Sequence, residues 1–255
     1  MSSAHDFYEQ LAADYHLIFG DWNASIARQG AALDRLIQVF AGGPPLDLLD
    51  CSCGIGTQAL GLAARGYTVH ATDISEAAVE RAAQEADARG LAITTGVADF
   101  RTLADQVAGT FDVVLSCDNA LPHLLTDDDL RRAAENMAAK LRPGGLLLIS
   151  MRDYDDLTLN RPRATPPQVS DDADGRRIVF QVWDWAEDGS QYALTMFIVR
   201  QAADGWRTDA YSTTYRALLR GELSAMLDGA GFAEVRWHMP QDTGYYQPIV
   251  TARRT

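Results

Sequence analysis

Much of what this 255-residue chain cannot be follows from what it has little of. Its three cysteines are too few for a disulfide framework, and two of them sit two apart in one strand-like segment. No run of eighteen or more apolar residues is present to cross a bilayer, and the first residues, MSSAHDFYEQ, lack the basic and apolar regions of a secretory signal. Positive charge is scarce as well. The 22 basic residues stand against 35 acidic ones, a formal charge of -13, and so negative a surface repels phosphate backbones and anionic headgroups. The expectation is a cytoplasmic protein with neither nucleic acid nor membrane as partner. Its oligomeric state stays open, a homodimer among the options.

What is present is enough apolar material, 47% of residues, for one ordinary core, and the length suits one domain with an insertion. Residues 1–43 read as helices, FYEQLAADYHLIF and then ASIARQGAALDRLIQVF, closed by AGGPP. Over 46–151 short apolar runs (LDLLDC, YTVHATD, LAITTGVAD, FDVVLSC, GLLLISM) alternate with amphipathic stretches such as SEAAVERAAQEADARG. Buried strands alternating with helices specify a parallel sheet covered on both faces. Residues 152–217 begin with a polar, proline-rich stretch, DYDDLTLNRPRATPPQVSDDADG, which reads as a long loop. RRIVFQVWDW, QYALTMFIVR and WRTDAYSTTYRAL follow, joined by EDGS and AADG, whose Asp-Gly pairs suit hairpin turns; this predicts an antiparallel insertion. Residues 218–255 supply a last helix, RGELSAMLDGAG, and two strands, FAEVRWHM and QPIVTARR.

The stretch DCSCGIGTQA (50–59) admits three readings. Gly54, Gly56 and Ala59 satisfy the G-x-G-x-x-A form of a dinucleotide fingerprint, with Asp73 about 17 to 19 residues on, where a ribose-binding acid belongs. Cys51 and Cys53 share one face of a strand and offer two thiolates, but no second Cys or His pair at zinc-ligand spacing accompanies them, so no metal is expected. Asp50 favours a third reading. A carboxylate at the strand end faces the place where a dinucleotide keeps its pyrophosphate. At roughly 5 Å and an effective dielectric of about 20, like charges cost on the order of 3 kcal/mol. A cationic nucleoside such as S-adenosylmethionine, with an ammonium, a sulfonium and a ribose diol, suits that acid better.

Residues 49–57 resemble the first motif of class I S-adenosylmethionine-dependent methyltransferases, and ATDIS around Asp73, VADF around Asp99 and Phe100, and FDVVLSCDNALPHL follow in the expected order. The resemblance implies a Rossmann-like α/β fold: a seven-stranded, mostly parallel sheet with helices on both faces, an N-terminal helical lid, and the antiparallel insertion before the last helix and hairpin. It implies S-adenosyl-L-methionine as cofactor, with S-adenosyl-L-homocysteine as product. Ser52, with Gly54 and Gly56, would meet the methionine part, Asp73 the ribose hydroxyls, Ile74 the adenine face, and Asp99 with the Phe100 amide the adenine edge. Cys117 joins these cofactor contacts, as do Tyr8, Tyr15 and Arg28 from the lid, Arg28 towards the cofactor carboxylate.

Asn119-Ala120-Leu121-Pro122-His123-Leu124 and Met151-Arg152-Asp153-Tyr154-Asp155 resemble stretches of glycine and sarcosine N-methyltransferases, with Asp118 in place of a glycine, Met151 of a histidine and Asp153 of an asparagine. The resemblance implies that Asn119 and Arg152 face a small-molecule acceptor, with Tyr154 beside them. A guanidinium at a strand end can grip a carboxylate through two parallel hydrogen bonds, or pair with Asp153, Asp155 or Asp156 in a structural network. His123 is a candidate to orient the cofactor, to accept a proton, or to serve structure alone. A neutral amine needs no dedicated base, because alignment and proximity supply about 7 to 11 kcal/mol. A hydroxyl acceptor would need one, with His123 the first candidate. Methyl transfer to an amine of a carboxylate-bearing compound is therefore expected. O-methylation of a small phenolic or natural-product hydroxyl, NAD(P)-dependent oxidoreduction and cofactor binding without catalysis are the alternatives.

Overall fold

Ahead of the sheet the chain forms α1 (Ala4–Leu11), a 3-10 turn over Tyr15–Ile18, and α2 (Trp22–Ala41) in the computed structural model, which describes residues 3–172 and 175–255. Each helix starts at a side-chain cap. Ser3 accepts from the Asp6 amide while Asp6 reaches back to the Ser3 amide, and Asp21 accepts from the Ala24 amide.

The five apolar runs become β1 (Asp47–Asp50), β2 (Thr68–Asp73), β3 (Ile93–Val97), β4 (Phe111–Ser116) and β5 (Leu141–Ser150). Leu48, Leu49, Val113, Val114, Leu115 and Leu147 are fully buried, as a sheet covered on both faces requires. Between these strands lie α3 (Thr57–Ala63), α4 (Glu76–Ala88), α5 (Leu103–Gln106) and α6 (Asp127–Lys140).

The stretch expected as a loop after Arg152 holds α7 (Tyr154–Asn160) and an edge strand, β6 (Gln168–Asp172); its Ala173 and Asp174 lie outside the described residues. Its polar composition hid the helix. Asp155 and Asp156 fill the first turn, where negative charge complements the helix dipole, and the helix stops at Arg161 (φ 39°), just before Pro162. The other two prolines, Pro166 and Pro167, stop just short of the strand and so leave its ladder intact.

The insertion is a four-stranded antiparallel sheet in the order β6, β7 (Gly175–Trp185), β8 (Gln191–Ala202), β9 (Gly205–Arg216). Gly189 and Gly205 take the positive φ that the β7–β8 and β8–β9 hairpin turns require. Alternate residues of β8, Tyr192, Leu194, Met196 and Ile198, point inward and share one apolar core with Phe7 and Leu11 of α1 and Ile149 of β5. The chain closes with α8 (Arg220–Gly229), β10 (Phe232–His238), α9 (Pro240–Thr243) and β11 (Ile249–Arg254).

The large sheet has the order β10-β11-β5-β4-β1-β2-β3, with β11 antiparallel to both neighbours. The chain runs outward from β1 through β2 to β3, then resumes on the other side of β1 with β4. That reversal leaves a crevice beyond the carboxyl ends of β1 and β4, where open α/β sheets take their ligands.

Candidate active site in two adjoining cavities

The turn after β1 is built for close approach. Gly54 and Gly56 adopt φ of 51° and 95°, the left-handed region open to glycine, and Gly56 caps α3. Asp73, at the end of β2, holds the loop in place: its Oδ2 accepts from the Gly54 amide (2.9 Å) and its Oδ1 from the Ser75 amide (3.0 Å). Asp50 lies beneath the loop, fully buried and absent from both cavity walls. Its Oδ1 accepts from the Ser52 amide (3.3 Å), and its Oδ2 has no hydrogen-bond partner among the described residues. Burial pushes its carboxyl from 3.8 up to about 8, with the Asp73 and Asp118 charges adding to the rise.

Above the loop opens a cavity of about 480 Å³ whose walls include Ser52, Gly54, Asp73, Ile74, Asp99, Phe100, Cys117 and His123. Nearly all residues assigned to a nucleoside by motif meet here. Asp99 is already engaged, because Arg101 donates to both of its oxygens (2.5 to 3.0 Å) and also contacts Asp129 (3.3 Å). Apart from Arg101, the wall's charged groups are the acids Asp73, Asp99, Asp118 and Asp129. These walls would repel a pyrophosphate and attract a cation. The residues present therefore fit S-adenosylmethionine. Cys51 and Cys53 are buried thiols whose Sγ atoms face the Leu115 and Gly54 carbonyls, and among the described residues no cluster of three or more His, Cys, Asp or Glu is placed to hold a metal ion.

A second cavity of about 370 Å³ adjoins the first, with Tyr8, Tyr15 and Asp118 in both walls. It is lined by Arg28, Asn119, Arg152, Gln181, Met196 and Tyr215, among others. Arg28 thus sits in the second chamber, with its guanidinium on the Ser25 hydroxyl (2.9 Å). Asp118 and Asn119 both take positive φ (57° and 69°), a conformation uncommon outside glycine and easiest for Asp and Asn. That bend lets the Asn119 carbonyl accept from the Arg152 amide (3.0 Å) and the Tyr154 hydroxyl (3.0 Å), while its buried Nδ2 has no partner among the described residues. Tyr154 itself is fully buried behind Asn119 and lines neither cavity.

Arg152 donates to the Tyr192 hydroxyl (2.6 Å) and Gln181 Oε1 (3.1 Å) and lies over the Trp183 ring (4.8 Å) and the Tyr215 ring (5.3 Å). No carboxylate pairs with it among the described residues. Asp153 and Asp155, the alternative partners weighed from sequence, bind Arg220 instead. Stacking and neutral acceptors hold the guanidinium without cancelling its charge.

His123 places Nε2 3.1 Å from the Tyr8 hydroxyl and Nδ1 3.3 Å from the Thr213 hydroxyl, with Tyr215 against its ring. Burial, then the Arg152 charge, lowers it from 6.5 to about 3, so the imidazole is neutral near pH 7.

The N-terminal segment forms the outer wall. Arg177 of β7 donates to the carbonyls of Leu17 and Phe19, Arg200 of β8 pairs with Asp14, and Trp22 of α2 donates to Thr57. Gln58 donates to Gln29 Oε1 (2.6 Å), and the Tyr245 hydroxyl lies 2.8 Å from the same oxygen, its one proton shared between Gln29 and Asp118, so that α3, α2 and the approach to β11 meet here.

Residues 48–145 match the family model described as a methyltransferase domain. Over that segment the chain is similar to the class I S-adenosylmethionine-dependent methyltransferases. The chain is 31% identical over 137 residues to the glycine/sarcosine N-methyltransferase of Parasynechococcus marenigrum, covering 54% of this chain and 48% of that relative. It is 29% identical over 202 residues to the ubiquinone biosynthesis O-methyltransferase of Caulobacter vibrioides, covering 78% and 68%. The chain spans about half the length of the first glycine/sarcosine relatives it matches. In fold it is similar to the SAM-bound amino pentose methyltransferase of Micromonospora echinaspora, at a TM-score of 0.73 over 95% of each chain and 22% identity.

Several wall residues carry no signal in the sequence alone. Gln181 and Met196 belong to strands whose facing partners were unknown, and Gln29 and Gln58 look like ordinary helix polar residues. Asp118 stood only as a departure from a family motif. The signal for its placement was present, since an Asp-Asn pair ending an apolar run is a turn signature.

Proposed function

We propose that the protein transfers a methyl group from S-adenosylmethionine to the amine nitrogen of a small, carboxylate-bearing acceptor. The carrying observation is Arg152, a cavity-lining guanidinium with no anion of its own among the described residues. The first cavity would hold the donor through the Gly54 loop, Asp73, Ile74 and the Asp99–Phe100 segment; the second would hold the acceptor, its carboxylate on Arg152 and beside the Asn119 amide. The bound donor supplies a methyl on a positively charged sulfur. The acceptor nitrogen's lone pair forms the new N–C bond as the S–C bond breaks with its electrons left on sulfur. What the chain contributes is alignment and the exclusion of water by the aromatic walls, worth about 7 to 11 kcal/mol when reacting atoms are held in line.

The similarity to an O-methyltransferase over 78% of the chain supports a second reading, a hydroxyl acceptor with His123 as base. The depressed basicity of His123 weighs against it. The experiment is turnover of labelled S-adenosylmethionine against amino acids, amines and phenols. A carboxylate-bearing amine should turn over fastest, and Arg152→Ala should lower its kcat/KM by about 10- to 100-fold, as loss of a charge-assisted hydrogen bond does. A phenol as the best acceptor, or an Arg152→Ala enzyme with unchanged kinetics, refutes the proposal.

A further inference from the structure

We propose that Asp118 recognises the acceptor's ammonium group and accepts its proton before methyl transfer. This rests on the amine-methylation reading and adds a residue to it. Asp118 stands in the walls of both cavities, where the acceptor nitrogen must meet the methyl group. Its Oδ1 accepts from the hydroxyls of Tyr245 (2.7 Å) and Tyr246 (2.6 Å), and no Arg, Lys or His pairs with it among the described residues. Among the described residues the second cavity therefore presents one carboxylate without a cation, Asp118, and two guanidiniums without an anion, Arg152 and Arg28, so an acceptor bearing both an ammonium and a carboxylate finds a partner for each. The carriers of Asp118 and Arg152 are adjacent in space, because Asn119 directly follows Asp118 and accepts from the Arg152 amide.

The groups facing Asp118 come from every side. Tyr245 and Tyr246 precede β11, Gln58 is on α3, Tyr15 is on the N-terminal segment, Arg152 is across the cavity, and Asp50 and Cys117 lie behind. Burial raises the carboxyl above the usual carboxylate range, and the two tyrosine hydroxyls pull it part of the way back. The shift is in the direction that makes this carboxylate the better proton acceptor, and an arriving ammonium favours its ionised form. The sequence of events balances. The Asp118 carboxylate takes one proton, the freed lone pair forms the N–C bond, the S–C bond breaks with its pair on sulfur, and the nitrogen is again an ammonium. The proton on Asp118 then leaves to water.

The test is calorimetry on the S-adenosylhomocysteine-loaded enzyme with matched probes: 3-aminopropionate against propionate, and 4-aminobutyrate against butyrate. The wild type should bind the amino member at least ~10-fold more tightly, Asp118→Asn should erase that preference, and Arg152→Gln should weaken both members. Asn tolerates the left-handed backbone at this position and keeps an oxygen for the tyrosines. With the amine that turns over fastest, Asp118→Asn should lose about 100-fold in kcat near neutral pH. The gap should narrow at a pH near the amine's own pKa, where solution supplies the free base. Tyr246→Phe, at an exposed ring, removes one donor and should move the acid limb of the rate profile to higher pH. An Asp118→Asn enzyme that keeps either the preference or the neutral-pH rate overturns the assignment. If no amino probe binds and only hydroxyl acceptors turn over, the amine reading falls, and this assignment with it.

Discussion

Gly30 of α2 and Gly61 of α3 meet backbone to backbone: a Cβ on Gly30 would lie 2.7 Å from the Gly61 main chain, and one on Gly61 2.6 Å from the Ile26 carbonyl. The contact seats α2, with Trp22, Arg28 and Gln29, against the helix that leaves the Gly54 loop. Gly30→Ala should therefore destabilise the fold by about 1 to 3 kcal/mol, the usual cost of overpacking, and weaken S-adenosylhomocysteine binding with it. Thermal unfolding and calorimetry check this. An unchanged melting temperature would mean that the helices separate at no cost.

Asp50 predicts a pH dependence of stability in the ligand-free protein. Its folded value is raised from 3.8 to about 8, so between those two values the folded chain keeps a proton that the unfolded chain has lost. Stability from this group is full below that window, falls as pH rises through it, and levels off above. Asp50→Asn should flatten the fall measured by denaturant unfolding across the window. Asp73 and Asp118, also raised by burial, keep a residual slope of the same sign. A variant with the wild-type slope would show that Asp50 is not the group responsible.

His123 gives the opposite sign. The folded chain resists a proton that the unfolded chain takes up, so its contribution is present above 6.5 and lost as pH falls towards about 3. Near pH 7 it is a neutral ring bridging Tyr8 and Thr213. His123→Asn should lower the methyl-transfer rate by less than ~10-fold and leave the shape of its pH profile intact, because a positioning residue carries no titrating limb. Disappearance of an acid limb in the variant would make His123 the base and favour the hydroxyl acceptor.

Glu9 fastens the first helix over the nucleoside-sized cavity. Its Oε2 accepts from the Ser75 hydroxyl (2.7 Å) and the Ala77 amide (3.2 Å), at the start of α4. Neighbours of Glu9 on α1, Ala4, His5 and Tyr8, line that cavity. Removing a helix-cap acceptor costs about 0.5 to 2 kcal/mol, so Glu9→Ala should raise the S-adenosylhomocysteine dissociation constant by about 2- to 30-fold. In a double-mutant cycle with Ser75→Ala the two losses should be less than additive. Full additivity would place the effect of Glu9 elsewhere.

Which parts were legible in the sequence follows from the range of the interactions. The alternation of LDLLDC, YTVHATD and FDVVLSC with amphipathic stretches is local, and it specified β1, β2 and β4 with their covering helices. The Asp-Gly pairs at 188–189 and 204–205 are equally local and marked the insertion's hairpins. The helix over Tyr154–Asn160 was masked by acids that stabilise its first turn yet resemble a loop in composition. Arg101 closing on Asp99, Arg220 drawing Asp153 and Asp155 away from Arg152, and Tyr245 reaching Gln29 across 216 residues all depend on tertiary placement. No spacing rule contains them. Asp50 was legible as an acid at a strand end; that the strand carries it under the loop follows only from the backbone path.

Tyr8 and Tyr15 belong to both chambers, whereas Gln181, Leu194 and Met196 of the inserted strands touch only the second. Remodelling the partition of phenols would disturb reagent and recipient together. Under the proposed division of the two cavities, exchanging Gln181, Leu194 or Met196 would reshape the recipient's berth and spare the reagent's. A chain built this way can change clientele through a few substitutions in one accessory layer while its chemistry stays fixed.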